Sequence, residues 1–273
     1  MLVAWLVAAL GGRGAAAPTP WRVAESFAVS PAPSRDDVSA LEVSLVLEGE
    51  YCWSGGTSLG AAWGATWAHI TSPATGALGA LDPGNLMLGG GYAFDVGALH
   101  LKMGARLGAP LAIFWGNGVT DKRASEFNHS AAAAARGERL PWLWQLNAAP
   151  VGLDLQLTLA PTDGLSVTAR LEPTALISVN SRPSRLALHA EVEAAAALGA
   201  LTLRLGWGYL VSTSALENTD RDQHSVWGGG DLAVGHAHHV TVDVNVNLDG
   251  PYGVASGEAK PTWGLVLGAR HAF

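Results

Sequence analysis

The last residues of the chain, 262–273, read TWGLVLGARHAF and alternate between two kinds of side chain. The odd-numbered residues from Trp263 to Phe273 are mostly apolar, and the first and last of them are aromatic. The residues between them are small or polar. Because successive side chains of a β-strand point to opposite faces, this pattern predicts a strand with one apolar and one polar face.

The same alternation recurs along the chain from residue 38 onward, about every 15–25 residues, with Gly, Pro and Asp between the segments. WRVAESFAV, residues 21–29, supplies one further segment near the N-terminus, and the total becomes about twelve. The other predicted strands lie at 41–47, 59–67, 86–94, 99–107, 153–159, 165–171, 186–192, 201–209, 226–234 and 240–246.

The predicted connections alternate between short and long. Outer-membrane barrels have this asymmetry, with short periplasmic turns and longer extracellular loops, whereas a soluble sandwich gives no reason for it. The sequence therefore predicts an all-β fold, a transmembrane antiparallel up-and-down barrel of about twelve strands. Short connections lie at 54–56, 95–97, 160–163, 197–200 and 235–238, and longer ones at 71–84, 110–141, 180–184, 213–222 and 249–260.

Composition fits a chain whose apolar residues are spread over strands. Charged residues make up 14%, mean hydropathy is +0.22, and no apolar run past residue 12 approaches the roughly 20 residues of a membrane helix. The net charge of −7 argues against a nucleic-acid partner. The single cysteine, Cys52, excludes an internal disulfide and is expected to be buried or at a rim.

The N-terminus indicates export. Residues 2–10 form a short apolar core, and Ala15–Ala17 offers a cleavage site of the A-x-A kind. We expect 1–17 to be a signal peptide and 18–273 to be a single barrel domain. The alternative is a buried N-terminal helix.

With these features the chain resembles Gram-negative outer-membrane β-barrel proteins. The resemblance rests on the terminal strand 262–273, which ends in Phe273, and on the export-type N-terminus. The stretch 82–110 also resembles a hairpin of small, poorly characterised barrels. The resemblance implies residence in outer-membrane lipid and insertion by the barrel-assembly machinery. It also implies that Phe273 belongs to the signal that this machinery reads.

The predicted lumen faces carry charges of both signs, with an acidic excess. One interpretation is a ladder of ion pairs that fills a narrow barrel, and the other is a polar pathway with mild cation preference. The lumen-lining candidates are Glu42, Glu48, Lys102, Arg106, Asp154, Arg170, Glu172, Glu191, Glu193, Arg204, Asp231, Asp243 and Arg270.

The loop at 110–141 is long for a compact fold, and such loops are usually functional or disordered. Ser125 is expected to cap a short helix that runs through the alanine run to Arg136, with Gly137 as its stop. This helix either folds into the pore and constricts it or lies on the outer surface. A one-residue slip downstream predicts a bulge at 148–150.

Aromatic residues are expected to form girdles at the two interfaces. We place Trp21, Tyr51, Phe94 and Phe273 near one rim, and Trp67, Trp144 and Trp263 near the other.

Two sets of residues carry groups that could bind a metal or catalyse hydrolysis. His236, His238 and His239 suggest either a metal site or, more simply, a polar turn. His129–Ser130 and His224–Ser225 are the candidates for a membrane-embedded hydrolase, but neither lies in a recognisable motif, and adjacent strand residues face opposite sides. We therefore predict no catalytic residues, no cofactor and no metal.

The sequence predicts a narrow outer-membrane channel for small polar solutes or ions. A non-conducting structural or surface-interaction barrel is the alternative, and a hydrolase is the third interpretation.

Overall fold

The computed structural model describes residues 21–32, 39–72, 76–113, 119–136, 139–162, 164–180, 183–212, 222–235, 237–248 and 262–273. The expected signal peptide, His236 and the long connections at 213–221 and 249–261 lie outside these residues. The strands are β1 Trp21–Ala32, β2 Ser39–Cys52, β3 Thr57–Ser72, β4 Gly76–Pro83, β5 Leu86–Val96, β6 Leu99–Ala109, β7 Ala148–Thr162, β8 Leu165–Ser178, β9 Arg185–Leu198, β10 Leu201–Ser212, β11 Asp222–Val234, β12 His238–Asn247 and β13 Thr262–Ala272.

The strands pair antiparallel with their neighbours and close into a barrel. Strand β1 pairs with β2 on one side and with β13 on the other, and the amide of Phe273 donates to the carbonyl of Trp21 at 3.0 Å. Segments β4 and β5 both pair with β3 and form one interrupted wall strand. The wall thus has twelve strands in the described residues, and the predicted fold class is confirmed.

The apolar set of each strand faces outward. Leu205 on β10 and Leu186 on β9 expose 67% and 60% of their surface, whereas inward neighbours such as His189 and Glu172 are buried. Because every wall strand shows this arrangement, the exterior is a continuous apolar belt suited to hydrocarbon. The polar residues of each strand face the lumen.

Aromatic residues collect at both ends of the belt. At the end with the short turns, the Trp21 and Tyr51 rings lie 5.0 Å apart. At the opposite end, Trp207 stacks on Tyr209 at 6.1 Å. The predicted girdle position of Trp144 is wrong, because this residue is 3% exposed and lies inside the barrel.

The predicted loop at 71–84 is also wrong. Strand β3 runs to Ser72, and β4 returns along it from Gly76, so the connection is confined to 73–75, outside the described residues. Gly84 and Asn85, which were expected in a turn, instead interrupt the wall strand between β4 and β5.

The bulge predicted at 148–150 is absent from β7. The pairing of β7 with β8 is regular from Ala148 to Gly152, and the register shifts between Leu159 and Thr162 instead. Trp142 and Trp144 precede the strand in a single-turn 3₁₀-helix, Pro141–Trp144, so no slip is needed to align them with β7.

The long connection between β6 and β7 folds into the lumen. Its helix α1, Val119–Ala135, begins six residues before Ser125, which donates its hydroxyl to Asp82 rather than capping the helix. We call residues 119–147 the plug; 119–136 and 139–147 of it are described. No helix among the described residues is long and apolar enough to cross a membrane.

Candidate functional site

The plug packs closely against the barrel wall at glycine positions. A Cβ atom placed on Gly264 of β13 would lie 2.1 Å from the carbonyl oxygen of Ala135, and one on Gly64 of β3 would lie 2.6 Å from the ring of Trp144. The alanines at the C-terminal end of α1 are buried in the same way. Small residues on both sides therefore let backbone and indole ring approach the wall.

Asn85 ties the C-terminal part of the plug, and Ala112 ahead of the plug, to the interrupted wall strand. Its amide nitrogen donates to the carbonyls of Trp142 at 3.1 Å and Gln145 at 2.9 Å, and its carbonyl oxygen accepts from the Ala112 amide at 3.0 Å. The Asn85 side chain is fully buried. The strand break is thus the place where the plug segment enters and leaves the lumen.

Two arginines fix the middle of the plug. Arg136 donates to the hydroxyl and carbonyl oxygens of Ser26 and Ser44, at 2.9–3.2 Å. Burial lowers the pKa of Arg136 to about 10, so its guanidinium still carries its charge at neutral pH. Arg139 donates to Asp243 at 3.0 Å and lies 5.1 Å from the ring centre of Trp227.

The 3₁₀-helix is held by a buried cluster of charges. The indole nitrogen of Trp142 donates to Glu172 at 2.7 Å, and the same carboxylate lies 2.8 Å from Arg106 and from Arg170, and 3.2 Å from His189. A carboxylate this deep requires paired charges and hydrogen bonds. The plug supplies one of those bonds.

The helix also covers two carboxylates near the outer end of the wall. Asn128 donates to Asp82 at 2.7 Å, and the Thr66 hydroxyl lies 2.8 Å from the side-chain oxygen of Asn128 and 3.0 Å from Glu42, either of which can accept its one proton. Glu42 is fully buried behind the helix.

Below the plug lies a cavity of about 720 Å³, which we call the vestibule. It occupies the half of the lumen nearer the short turns, and Arg136, Arg139 and Trp142 form its roof. Its walls carry polar and charged side chains of both signs. The charged wall residues are Arg22, Glu48, Glu50, Lys102, Arg106, Asp154, Arg170, Glu191, Arg204, Asp243 and Arg270.

The structure places the sequence-predicted lumen residues on the inward faces, in three groups. Glu48, Lys102, Arg106, Asp154, Arg170, Glu191, Arg204, Asp243 and Arg270 line the vestibule. Glu42 and Glu172 are buried against the plug, and Glu193 accepts from Trp227 at 3.3 Å. Asp231 lies at the short-turn end, bonded to His239 at 2.6 Å and to Arg270.

Arg204 and Arg139 bridge the lumen to acidic residues of other elements. Arg204 donates to Asp243 at 2.8 Å, and Arg139 of the plug approaches Glu193 at 3.8 Å. Arg204 lies opposite Gly229 of β11, which leaves room for the reach to Asp243 on β12.

Sequence reasoning missed Asn85, Arg136, Arg139 and Trp142 as lumen residues. All four lie outside the predicted strand segments, where facing cannot be assigned. The one signal in the sequence was the polar Asn85 directly before the alternating segment that begins at Leu86.

The histidines of the two candidate catalytic pairs, His129–Ser130 and His224–Ser225, contact other residues. Both ring nitrogens of His129 face backbone carbonyls, of Ser125 at 2.9 Å and Pro83 at 3.1 Å. The His224 ring lies 4.7 Å from the ring of Tyr209 on the outer face, while Ser225 is buried on the inner face. No group of three or more metal-ligating side chains occurs among the described residues.

Comparison with known proteins finds similarity in structure alone. No family model matches the chain, and a search of curated proteins finds no relative by sequence. The solved structures that it resembles include the COG4313 outer membrane channel from Pseudomonas putida F1, with a TM-score of 0.58 and 13% identity over 96% of this chain and 100% of that one.

Two porins give similar values. The NanC porin has a TM-score of 0.54 and 10% identity, over 93% of this chain and 100% of that one. The KdgM porin has a TM-score of 0.52 and 10% identity, over 92% and 99%. The chain therefore has the fold of outer-membrane β-barrel porins and channels.

Proposed function

We propose that the protein is a narrow outer-membrane channel of a Gram-negative bacterium, for small polar solutes or ions, gated by the plug. The observation that carries the proposal is the polar vestibule of about 720 Å³, whose roof is a segment outside the wall strands. In this proposal residues 1–17 direct export, and Phe273 is read by the barrel-assembly machinery.

The wall does not need the plug for its closure. Every wall strand has a partner on each side through backbone hydrogen bonds, and the plug bonds the wall only at scattered points. These include side-chain bonds at Asn85 and Trp142 and one backbone bond from the Asn85 amide to the Leu143 carbonyl at 2.7 Å. A loop that adds no ladder bonds can move while the barrel stays intact. Movement of the plug would join the vestibule to the outer mouth.

The ends of the plug segment are adjacent, which gives a direct test. The Asn147 amide donates to the Ala112 carbonyl at 2.7 Å, so residues 113–146 can be replaced by a short Gly-Ser turn. We expect the excised barrel to conduct steadily in planar bilayers and the intact protein to conduct rarely. An intact but silent excised barrel, with its fold checked by circular dichroism, would contradict the proposal.

A second variant tests gating without excision. The side-chain oxygen of Thr66, on the wall, lies 2.8 Å from that of Asn128, on the plug. With Cys52 replaced by Ser, cysteines at 66 and 128 should hold the plug closed when oxidised and release it on reduction. Openings that are equally frequent in both states would rule out this segment as the gate.

Excision should also change ion selectivity. Without Arg136 and Arg139, acidic side chains outnumber basic ones on the inward faces, and a cation preference is expected. Reversal potentials in a salt gradient measure it. On the inward faces of the described strands the acidic residues are Glu42, Glu48, Glu50, Asp82, Asp95, Asp154, Glu172, Glu191, Glu193, Asp231 and Asp243, against Arg22, Lys102, Arg106, Arg170, Arg185, Arg204 and Arg270.

The second candidate function is a non-conducting structural or surface-interaction barrel. The observation that favours it is the number of buried contacts between plug and wall, at Asn85, Arg136 and Trp142. It predicts that the excised barrel conducts while the intact protein never opens under any voltage.

A further inference from the structure

The break between β4 and β5 leaves the backbone of Pro83 open on one side. The Gly84 amide donates to the Gly64 carbonyl of β3 at 2.7 Å. Because the carbonyl and the amide of one trans peptide group point in opposite directions, the Pro83 carbonyl points away from β3. On that side β6 ends at Ala109, which pairs with Leu86, so none of the described strands supplies a ladder bond to Pro83 there.

His129 of the plug contacts this carbonyl. Its ring is buried, with Nε2 3.1 Å from the carbonyl oxygen of Pro83 and Nδ1 2.9 Å from that of Ser125. A carbonyl oxygen only accepts, so each contact is a hydrogen bond only when the ring nitrogen carries a proton. A neutral imidazole has one such proton and an imidazolium has two. The closed plug therefore fits the imidazolium form of His129.

The two contacts differ in what happens when the plug moves. Ser125 and His129 are four residues apart in the same helix, so their contact travels with α1. The contact with Pro83 joins plug to wall and belongs to the closed state. With a neutral ring whose Nδ1 donates to Ser125, the Nε2 lone pair would face the Pro83 oxygen, and two acceptors repel each other. Closure therefore favours the uptake of one proton by His129.

The charges around this part of α1 have the sign that supports proton uptake. Asp82 of β4 accepts from Asn128, the residue before His129, at 2.7 Å, and Glu42 of β2 is buried behind the same helix. Arg136 lies about two helical turns further along, towards the vestibule. Acidic neighbours favour a cationic ring. The inward residues of the other packed strands at this depth are uncharged, namely Ala28, Ser30, Gly64, Thr66, Asn245, Asn247, Thr262 and Gly264.

We propose that His129 and the Pro83 carbonyl form a proton-operated latch, which holds the plug closed on acidification and releases it as the pH rises. This inference rests on the gate proposed above and names its regulation. The closed state holds the proton more tightly than the open state. The stabilisation of the closed state is therefore complete below the pH at which a solvated histidine titrates, about 6.5, and is lost as the pH rises.

The size of the response follows from the single proton. With one proton bound in the closed state and a solvated histidine in the open state, the ratio of closed to open protein should rise by about tenfold from about pH 7.5 to about pH 5.5. A larger change would require further groups to titrate with the plug.

The open probability of the full-length protein in planar bilayers at these two pH values tests the latch. The variant is His129→Gln, because the amide can donate to a carbonyl at every pH but takes up no proton. The matched control is His69→Gln, since His69 is exposed on the outward face of β3, where it stacks on Trp67. We expect the tenfold response in wild type and in His69→Gln, and none in His129→Gln. Wild type without a response, or His129→Gln with the full response, would overturn the proposal.

Thiol labelling tests the latch without relying on conduction. Ala131 of α1 is 1% exposed, so in the Cys52→Ser background Ala131→Cys gives a thiol that reacts only when the plug leaves its place. The labelling rate with His129 divided by the rate with His129→Gln cancels the pH dependence of the thiol itself. We expect this ratio to fall by about tenfold over the same pH range.

The two measurements separate the latch from the gate. If the protein never conducts but the labelling ratio falls on acidification, the channel proposal fails and the latch stands as a lock on a non-conducting plug. A labelling ratio that is the same at both pH values would overturn the latch, whether or not the protein conducts.

Discussion

Replacing Asn85 with alanine should release the plug. The substitution removes two hydrogen bonds to plug carbonyls, at 2.9 and 3.1 Å, and the one from the Ala112 amide at 3.0 Å. At about 1 kcal/mol each, with about 1–2 kcal/mol more for the buried amide left unpaired, the loss is roughly 4–5 kcal/mol. If the closed state alone has these bonds, the ratio of closed to open protein falls by a factor of about 10³.

Single-molecule recordings in planar bilayers measure this ratio as the open probability. The matched control is Asn247→Ala, because Asn247 is also fully buried but donates to Gln223 at 3.2 Å, between two wall strands. We expect Asn85→Ala to have a much higher open probability than wild type, and Asn247→Ala to have the same open probability as wild type. Equal open probabilities, or a lower unfolding temperature at 85 without openings, would refute the assignment of Asn85 to the gate.

Three further predictions follow from the wall. Gly264→Ala should open the channel, since its Cβ would lie 2.1 Å from the Ala135 carbonyl, whereas Gly228→Ala should not change conductance. Leu157→Arg, on the lipid face, should destabilise the barrel by about 2–4 kcal/mol in lipid-refolding titrations, and the inward Gln156→Arg by much less; similar losses would show that the facing is wrong. Deletion of Phe273 should leave misassembled or degraded protein in membrane fractions, and normal levels would argue against its role in assembly.

The wall was predictable from the sequence because its physics is local. Alternation in a strand such as β10 follows from the need to face lipid with Leu203 and Leu205 and the lumen with Arg204. The alternation is visible within the sequence of each strand, so twelve strands and the faces of their side chains could be predicted without knowledge of the contacts between strands. Phe273 could be placed at the rim for the same reason.

The plug was not predictable in this way, because its position depends on distant contacts. Helix α1 has no strong apolar face: Ala135 at its end packs against the wall because Gly264 leaves space there, and Gly64 leaves space for Trp144. Likewise, the pattern of Trp142 and Trp144 fits an outward strand face as well as a buried 3₁₀-helix. Contacts with Glu172 and Asn85, which are distant in the sequence, stabilise the buried 3₁₀-helix.

The same logic explains why β4 was predicted as a loop. Its partner on one side is β3, but β6 ends at Ala109, so pairing with the next wall strand stops at Leu86. The sequence Gly79-Ala80-Leu81-Asp82-Pro83-Gly84 has turn composition, and only pairing with a long β3 makes it a strand.

Asn85 connects the interrupted wall strand to the proposed gate. In an unbroken strand the Asn85 amide would form a ladder bond, whereas at the break it donates to the Leu143 carbonyl of the plug at 2.7 Å. The buried side chain adds bonds to Ala112 and Gln145, so several of the bonds that close the plug meet at this one residue of the wall. A channel whose gate is anchored at a strand break can open by losing a few hydrogen bonds between plug and wall while the ladder bonds of all wall strands remain.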